Sequence, residues 1–506
     1  MIELSVAQIA DIVGGELADI SPTDAADLHV TGTVEFDSRR VTSGGLFLAL
    51  PGARADGHDH AASAVAAGAV AVLAARPIGV PAIVVAPSRS TAPALAGVLE
   101  HDADGSGAAV LAALAKLAAA VAAELVAGGL TIVGITGSSG KTSTKDLLAA
   151  VLEPLGEVVA PPGSFNNELG HPWTVLRATA NTDYLILELS ARRPGNIAEL
   201  AAIASPSIGV VLNVGTAHLG EFGSREAIAA TKSELPQAIP RSGVVVLNVD
   251  DPAVAAMADV TSARVVRVSR QNPADVWADR VTLDELARPQ FTLHAADTAI
   301  DVRLAVHGDH QVSNALCAAA VALECGGSAE QVATALAGAG PVSQHRMRVS
   351  TRADGVTVID DAYNANPDSM QAGLQALAWM ARGVRGEKRR SWAVLGEMAE
   401  LGEDAISEHD RIGRLAVRLD VSRLVVVGLG RSMSAMHHGA VMEGARASEG
   451  ERAAALVDDA DAALALLRAE LQPGDVVLVK ASNAAGLGAL ADALVADSVD
   501  DQGDTR

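Results

Sequence analysis

"LTIVGITGSSGKTSTKDLLAAVLEPL", residues 130–155, joins a β-branched run to a helical stretch through a glycine-rich turn. Glycines at 134, 137 and 140 precede Lys141 and Thr142. In such a turn the backbone amides surround phosphate oxygens and the helix N-terminus adds partial positive charge. The lysine contributes a full charge, and the threonine hydroxyl is a magnesium ligand. The stretch therefore predicts a nucleoside triphosphate site that follows a strand.

The spacing of this turn departs from the strict Walker pattern. The residue five positions before Gly140 is Ile135, and the glycine lies one position earlier, at 134. We interpret the turn as a longer variant of the phosphate-binding loop. A glycine-rich turn without a ligand is the alternative, but Gly-Lys-Thr-Ser at a helix start has few other uses.

The length, composition and charge of the chain limit how many domains it forms and which partners it can bind. A length of 506 residues predicts about three domains. Apolar residues make up 49% and aromatic residues only 2%, so the cores must consist of Ala, Val and Leu. The net charge of -23 argues against nucleic acid or an anionic membrane surface as a partner, because most of the protein would repel them.

Three features predict a cytoplasmic protein without membrane insertion. The two cysteines, Cys317 and Cys325, lack the number and spacing of a disulfide framework or metal site, which fits a reducing compartment. The first residues, "MIELSVAQIADIVGG", have no basic signal-peptide region. The most apolar run, residues 107–129, contains Lys116 and Glu124 and repeats Leu and Val near helical spacing, which favours a packed helix.

The order of apolar runs predicts the fold class. Short β-branched runs such as "DYLILELS" and "DVVLVKAS" alternate with Ala-rich helical stretches, which indicates an α/β fold with parallel sheets covered by helices. A polar stretch near residue 104 and the Gly- and Pro-containing stretch "AGAGPVSQHR" suggest domain boundaries. We predict domains at 1–107, 108–340 and 341–506.

Polar residues near strand ends in the central segment are candidates for catalysis. Glu188 lies near the end of "DYLILELS", His218 lies within "VVLNVGTAHLGEFGS", and Lys232 lies on a predicted helix. Open α/β sheets build their sites at strand ends, and a carboxylate and an imidazole are possible magnesium partners. The residues alone leave other interpretations open: a strand-end charge, a loop histidine and a solvated lysine. A phosphate loop alone does not separate a kinase, a motor ATPase and a ligase.

Longer motifs resemble the Mur ligase family of peptidoglycan synthesis. That family's phosphate loop reads glycine, two residues, glycine, then Gly-Lys-Thr, as here. "SFNNELGHPWT", "AHLGEFGS", "DDAYNANPDSM" and "LGEMAELGE" resemble the branch that adds D-alanyl-D-alanine. The resemblance covers nearly the whole chain. It implies a small N-terminal α/β uridine-nucleotide domain, a central P-loop ATPase domain with a parallel sheet, and a C-terminal Rossmann-like domain.

The resemblance also implies which residues bind nucleotide. Asn314 stands in the adenine-side motif, where Gln311 replaces the usual asparagine, and Arg346 would reach the γ-phosphate from the third domain, preceded by His345 instead of the usual glycine. Asp361 and Asn364, with Asn366, match the ribose and hinge region. The implied ATP-binding set is Gly137, Ser138, Ser139, Gly140, Lys141, Thr142, Ser143, Asn314, Arg346, Asp361 and Asn364.

Two magnesium ions are implied as well. Their ligands would be Thr142, Glu188, His218 and Lys232, with Lys232 carbamylated by carbon dioxide. Carbamylation would convert a cation that repels magnesium into an anion that binds it. The implied catalytic residues are Lys141, Glu188, His218, Lys232 and Arg346.

The implied substrates are UDP-N-acetylmuramoyl-tripeptide and D-alanyl-D-alanine, bound by a monomer. Their binding residues would be Asp37, Ser38, Arg39, Asn166, Asn167 and Lys480. The residues around Asp37 are by themselves compatible with a strand, a turn and a hairpin. Around Lys480, "VLVKASN" differs from the branch's usual Lys-Gly-Ser-Arg at Ala481 and Asn483. Because the substrates are anionic and the chain is acidic, we expect a basic patch confined to the cleft, formed by residues such as Arg39, Lys141 and Arg346.

The implied chemistry is ATP-driven amide formation through an acyl phosphate. Three alternatives stay open. Another amino-acid-adding Mur ligase would usually carry an Asp-Asn-Pro-Arg signature, which this sequence does not contain. Folylpolyglutamate synthase shares the architecture but should lack the uridine motif. A nucleotide-binding switch or ATPase that ligates nothing is disfavoured by the candidate metal ligands.

Overall fold

The computed structural model describes residues 1–52, 55–87, 102, 104–215, 219–383, 388–444 and 453–500, with side chains to residue 496. Three sheets with covering helices follow one another along the chain, and most of their strand pairs are parallel. The prediction of a three-domain α/β fold is confirmed. Each large sheet lies within one predicted domain range, whereas the exact boundaries stay predictions.

The first domain has a five-stranded sheet in the order β2-β7-β6-β5-β4 and a separate antiparallel pair, β1 and β3. Because β4 and β5 pair in parallel, the hairpin interpretation of the residues around Asp37 is wrong. Asp37 instead caps a short 3-10 helix, Ser38–Arg40. The elements are β1 (Leu4–Ser5), α1 (Val6–Val13), β2 (Glu16–Ala18), α2 (Pro22–Asp27), β3 (His29–Val30), β4 (Val34–Glu35), β5 (Gly45–Leu48), α3 (Ala61–Ala66), β6 (Ala69–Ala74) and β7 (Ala82–Val84).

The central domain has a nine-stranded sheet in the order β16-β15-β14-β13-β12-β11-β8-β10-β9. Its strands are parallel from β9 to β14, and β14, β15 and β16 add an antiparallel extension that the sequence analysis did not predict. The elements are α4 (Ser106–Ala127), β8 (Thr131–Thr136), α5 (Lys141–Leu152), β9 (Val158–Val159), α6 (Gly170–Val175), β10 (Tyr184–Glu188), α7 (Asn196–Ile203), β11 (Ile208–Val211), α8 (Leu219–Phe222), α9 (Arg225–Lys232), α10 (Glu234–Ala238), β12 (Val244–Asn248), α11 (Pro252–Ala255), β13 (Arg264–Ser269), β14 (Val276–Leu283), β15 (Pro289–Ala295), β16 (Thr298–Arg303), α12 (Gln311–Glu324) and α13 (Ala329–Gly338).

The third domain has a six-stranded sheet in the order β17-β18-β22-β19-β20-β21, parallel except for β17 and β18. Its strands read as continuous apolar runs because helices cover both faces. The elements are β17 (Arg348–Thr351), β18 (Thr357–Asp361), α14 (Pro367–Met380), β19 (Ser391–Leu395), α15 (Ala405–Arg418), β20 (Arg423–Val427), α16 (Arg431–Glu443), β21 (Ala454–Val457), α17 (Ala460–Glu470), β22 (Val476–Lys480) and α18 (Leu487–Asp500).

Helix α4 joins the first two domains. By length and composition it is the one helix in the described part of the chain that could cross a membrane, but a buried core helix meets the same test. Its buried face lies in a continuous apolar core that includes α1 and β5 of the first domain and α7 and β10 of the central domain. The helix therefore holds the first domain against the central sheet.

We expect Leu114→Ala to weaken this junction. Leu114 is fully buried, and removing a buried leucine side chain costs about 2–5 kcal/mol of stability. A thermal unfolding scan should show a lower first transition for this variant, whereas Glu124→Ala, on the exposed side of the same helix, should unfold at the parent temperature. Equal midpoints for the two variants would contradict this role of α4.

Candidate active site

A cleft of about 1320 Å³ lies between the carboxyl ends of the central parallel strands and the third domain. Ligand sites of open α/β sheets form at this edge, where loops leave the strands. The cleft is lined by the basic residues Lys141, Arg192, Arg193, Arg270, Arg346 and Lys480 and by the acidic residues Glu168, Glu188, Glu221, Asp309, Asp361, Asp368 and Glu400. These charges nearly balance, although the chain has 38 basic and 61 acidic residues. The surface of the cleft is thus mixed, and Arg39 does not line it.

The phosphate loop connects β8 to α5 as the sequence predicts. Its shape depends on Asn213, which follows β11: the amides of Ser138 and Ser139 each donate to Asn213 Oδ1 at 3.0 Å, and Asn213 Nδ2 donates to the Ser139 carbonyl at 3.1 Å. None of the sequence motifs pointed to this residue. Its position directly after a buried strand of the same sheet was the available signal.

Lys141 lies at the first position of α5, and its ammonium donates to the Gly137 carbonyl at 2.6 Å. Burial lowers the pKa of Lys141, the charge of Glu188 raises it, and Arg346 lowers it. The bond to the Gly137 carbonyl holds the Lys141 side chain against the phosphate loop.

Glu188 is buried at the end of β10, beside the N-terminus of α5. Its Oε2 accepts from Thr142 Oγ1 at 3.3 Å and from Asn166 Nδ2 at 3.2 Å, whereas its buried Oε1 has no hydrogen-bond partner among the described residues. Burial raises the pKa of the Glu188 carboxyl, and Lys141, Lys145 and Arg346 lower it. A free carboxylate oxygen next to a threonine hydroxyl fits a hard divalent cation, which prefers oxygen ligands.

Arg346 brings a third-domain cation to the phosphate loop. Its guanidinium lies 4.2 Å from the centre of the Tyr363 ring and donates to Ser164 Oγ at 2.9 Å and Thr142 Oγ1 at 3.4 Å. Ser164 Oγ also lies 2.7 Å from Thr142 Oγ1. Lys141, Thr142, Glu188 and Arg346, predicted from separate parts of the sequence, therefore come together. Ser164 and Tyr363 complete this group and were missed.

The other two predicted magnesium ligands are His218 and Lys232. His218 lies outside the described residues, since 216–218 are not included. Lys232, in the last turn of α9, is buried and does not line the cleft. Burial lowers the pKa of Lys232 well below its ordinary value, and the charge of Lys141 lowers it further. The alternative of a solvated lysine on a helix face is therefore wrong.

Lys480 does not project a free ammonium into the cleft. At the end of β22 it donates to Asp361 Oδ2 at 2.6 Å and to the Asn364 carbonyl at 2.9 Å. Burial lowers the pKa of Lys480 and Asp361 raises it. Because Lys480 bonds to both residues, it fixes the loop that carries Asp361 and Asn364. Removing either charged partner would leave an uncompensated buried charge.

The predicted adenine side lies at the start of α12. Asn314 Nδ2 donates to Gln311 Oε1 at 2.9 Å. Gln311, which stands where the family usually has asparagine, therefore orients the Asn314 side chain. Asn314 also lies against Gly140, where an added Cβ would meet its side-chain oxygen at 2.7 Å. The adenine-side motif thus touches the phosphate loop directly.

The predicted substrate residues fall into two groups. Asn166 and Asn167 line the cleft, and the loop that carries them is joined to the first domain by the ring cluster of Phe36, Phe165 and Trp173. Residues 37–39 do not line the cleft. The guanidinium of Arg39 pairs with Asp37 and lowers the pKa of that carboxyl to about 2.

His58, in the 3-10 helix Gly57–His60, is buried and bonds within the first domain. Its ring Nδ1 lies 2.6 Å from Asp56 Oδ1, and its Nε2 accepts from the Ala75 amide at 3.1 Å. Both ring nitrogens therefore have partners within the first domain.

The central and third domains also meet at two glycines. A methyl group added at Gly220, in α8, would lie 2.5 Å from the backbone nitrogen of Gly402. Nearby, Arg192 forms an ion pair with Glu400 at 3.2 Å. The backbones approach this closely only because neither carries a Cβ.

Known proteins match the chain along its length. The family model described as "Mur ligase family, catalytic domain" matches residues 31–119, "Mur ligase middle domain" matches 135–322, and "Mur ligase, glutamate ligase domain" matches 345–483. The UDP-N-acetylmuramoyl-tripeptide--D-alanyl-D-alanine ligase of Mycobacterium tuberculosis (strain ATCC 25618 / H37Rv) is 79% identical over 504 residues, 98% of each chain. The protein of that name from Escherichia coli (strain K12) is 33% identical over 432 residues, 85% of this chain and 86% of the other.

Solved structures agree with these matches. A crystal structure of MurF from Acinetobacter baumannii has a TM-score of 0.79 and 29% identity, covering 97% of this chain and 99% of that one. The MurF ligase of Thermotoga maritima in complex with ADP has a TM-score of 0.72 and 27% identity, covering 94% and 99%.

We expect Gly220→Ala to hold the third domain away from α8, because its methyl group would overlap the backbone of Gly402. Small-angle X-ray scattering should report a larger radius of gyration for this variant. Gly338→Ala is the matched control, since a methyl group there meets nothing within 4 Å. An unchanged scattering profile for Gly220→Ala would contradict a closing contact at this point.

Proposed function

The chain belongs to the Mur ligase family, and we propose that it joins D-alanyl-D-alanine to the peptide carboxyl end of UDP-N-acetylmuramoyl-tripeptide with hydrolysis of ATP to ADP and phosphate. One observation carries this function: Glu188 and the third-domain residue Arg346 both bond to the Thr142 hydroxyl, and the charge of the neighbouring Lys141 interacts with both of them. This arrangement suits phosphoryl transfer between two domains. The relatives' name identifies the acceptor and the donor of the new amide bond.

ATP is expected to lie along the cleft from α12 to the phosphate loop. Asn314, oriented by Gln311, faces the adenine side, and the phosphates would lie at the N-terminus of α5, beside the loop amides that Asn213 does not bind. Lys141 and Arg346 approach the terminal phosphate from opposite domains. Asp361 and Asn364, fixed by Lys480, lie on the ribose side.

The donor set for magnesium begins with Thr142 and Glu188, whose Oε1 has no partner among the described residues. Bound there, magnesium would neutralise charge on the phosphate oxygens. His218 and carbamylated Lys232 are proposed for a second ion. The amine of Lys232 is suited to carbamylation because burial favours its neutral, nucleophilic form.

The reaction proceeds in two steps. A carboxylate oxygen of the tripeptide attacks the γ-phosphorus, the bond to the β-phosphate oxygen breaks, and ADP leaves; Lys141 and Arg346 stabilise the charge on the transferred group. The amine of D-alanyl-D-alanine, after losing a proton, then attacks the acyl carbon, and phosphate leaves. Closure of the third domain would exclude water, which otherwise hydrolyses the acyl phosphate.

UDP-N-acetylmuramoyl-tripeptide is expected to bind across the first and central domains. Asp37, Ser38 and Arg39 are proposed for the uridine diphosphate end, and Asn166 and Asn167 for the peptide end near Glu188. Asn166 is held by Ser190, whose hydroxyl donates to its side-chain oxygen at 3.1 Å. We further propose that the protein acts as a cytoplasmic monomer, without membrane insertion.

An acceptor assay tests the function. ADP release should require UDP-N-acetylmuramoyl-tripeptide and D-alanyl-D-alanine together, and should stay at background with diaminopimelate, glutamate or no acceptor. Lys141→Ala should lower the rate by about 100-fold or more, since it removes a charge that stabilises the transition state. Release that ignores the acceptor would instead favour an ATPase, and a preference for glutamate would favour a folate enzyme.

Lys232→Ala tests the proposed carbamate. We expect most activity to be lost and part of it to return with added formate or acetate, because a small carboxylate can occupy the place of the carbamate oxygens. Lys388→Ala, at an exposed lysine paired with Asp420, is the control and should keep the parent activity in both conditions. Full activity of Lys232→Ala without added carboxylate would refute the role of this lysine.

A further inference from the structure

The backbone on both sides of Arg346 adopts a conformation that is uncommon for residues with side chains. His345 has φ of 55° and Met347 has φ of 50°, both in the left-handed region. Such residues persist where surrounding contacts fix them, and they cluster at functional sites. The neighbours of Arg346 are thus candidates for what directs its side chain.

Two consecutive aspartates at the end of β18 hold these flanking residues. Asp360 Oδ2 lies 2.8 Å from His345 Nδ1, and Asp361 Oδ1 accepts from the Met347 amide at 3.1 Å. The His345 carbonyl accepts from the Tyr363 amide at 3.2 Å. All three contacts belong to the third domain, so the segment around Arg346 moves with that domain.

The His345 ring is enclosed on its other side. It packs against Gly488, where an added Cβ would meet the ring at 3.0 Å. The exposed Asp492 carboxylate lies 3.9 Å from Nε2, beyond hydrogen-bond distance. Among the residues that the structure describes, the ring thus has one close polar partner, the buried Asp360.

The position of the Arg346 guanidinium depends on these contacts of His345 and Met347. Its buried Nε has no hydrogen-bond partner among the described residues, so the stack on Tyr363 and the flanking backbone determine where its terminal nitrogens point. We propose that His345 is a positioning residue for phosphoryl transfer, whose bond to Asp360 aims Arg346 at the Thr142 and Ser164 hydroxyls. This inference rests on the proposed function and concerns the same site.

The substitution His345→Gly distinguishes a positioning role of the side chain from an effect of backbone strain. Glycine adopts positive φ freely but cannot bond to Asp360, so His345→Gly should fold at least as stably as the parent yet lower kcat for phosphate release about 10- to 100-fold. His345→Asn, which tolerates the same backbone and keeps a donor, should recover part of the loss. Asp492→Asn is the control and should keep the parent kcat.

A double-mutant cycle tests whether His345 acts through Arg346. If it does, His345→Gly should cost nothing further in an Arg346→Ala background. The inference is overturned if His345→Gly has the parent kcat, if Asp492→Asn loses as much, or if the two losses multiply. Failure of the proposed function gives a different result, because the parent enzyme would then release no phosphate in response to D-alanyl-D-alanine.

Discussion

The contact between Arg346 and the hydroxyls of Thr142 and Ser164 is the one on which the cleft depends. The cation belongs to the third domain and the hydroxyls to the central domain, so the group exists only when the two domains lie together. Hydrogen bonds weaken steeply beyond about 3.5 Å, so a small opening would remove the contact. The proposed catalytic group therefore forms only when the two domains are in contact, and at Gly220 and Gly402 their backbones lie so close that an added Cβ would overlap.

The charges in the cleft are stable only as a set. Burial raises the pKa of Glu188 and lowers that of Lys141, so each would tend to lose its charge alone, while the opposite charge of the other counteracts this. On the third domain, buried Lys480 bonds to the Asp361 carboxylate. The cleft therefore combines charges of both signs within an acidic chain. The cost of burying them is offset by pairing, which ties the electrostatics of the site to the correct packing of both domains.

The sequence predicted those parts of the molecule that local residues determine. The strand, turn and helix around residues 130–155 follow from apolar periodicity and glycine placement, and motif resemblance brought Glu188 and Arg346 to the same site. Asn213 was missed because an amide that shapes a loop depends on a neighbouring strand, which spacing does not reveal. The ion pair of Lys480 and the parallel pairing of β4 and β5 also arise from tertiary contacts. The same holds for the antiparallel strands β14 to β16, which extend an otherwise parallel sheet.

Lys232 illustrates how burial changes the chemistry of a residue. On an exposed helix face its amine would be charged at neutral pH and unable to attack carbon dioxide. Burial disfavours the ammonium, and the charge of Lys141 disfavours it again. The effect of Lys141 reverses once the group becomes an anion, because Lys141 then attracts it, whereas burial disfavours either charge. The charge of Lys141, which disfavours the ammonium, would therefore also stabilise a carbamate. A cation bound nearby would stabilise the carbamate further.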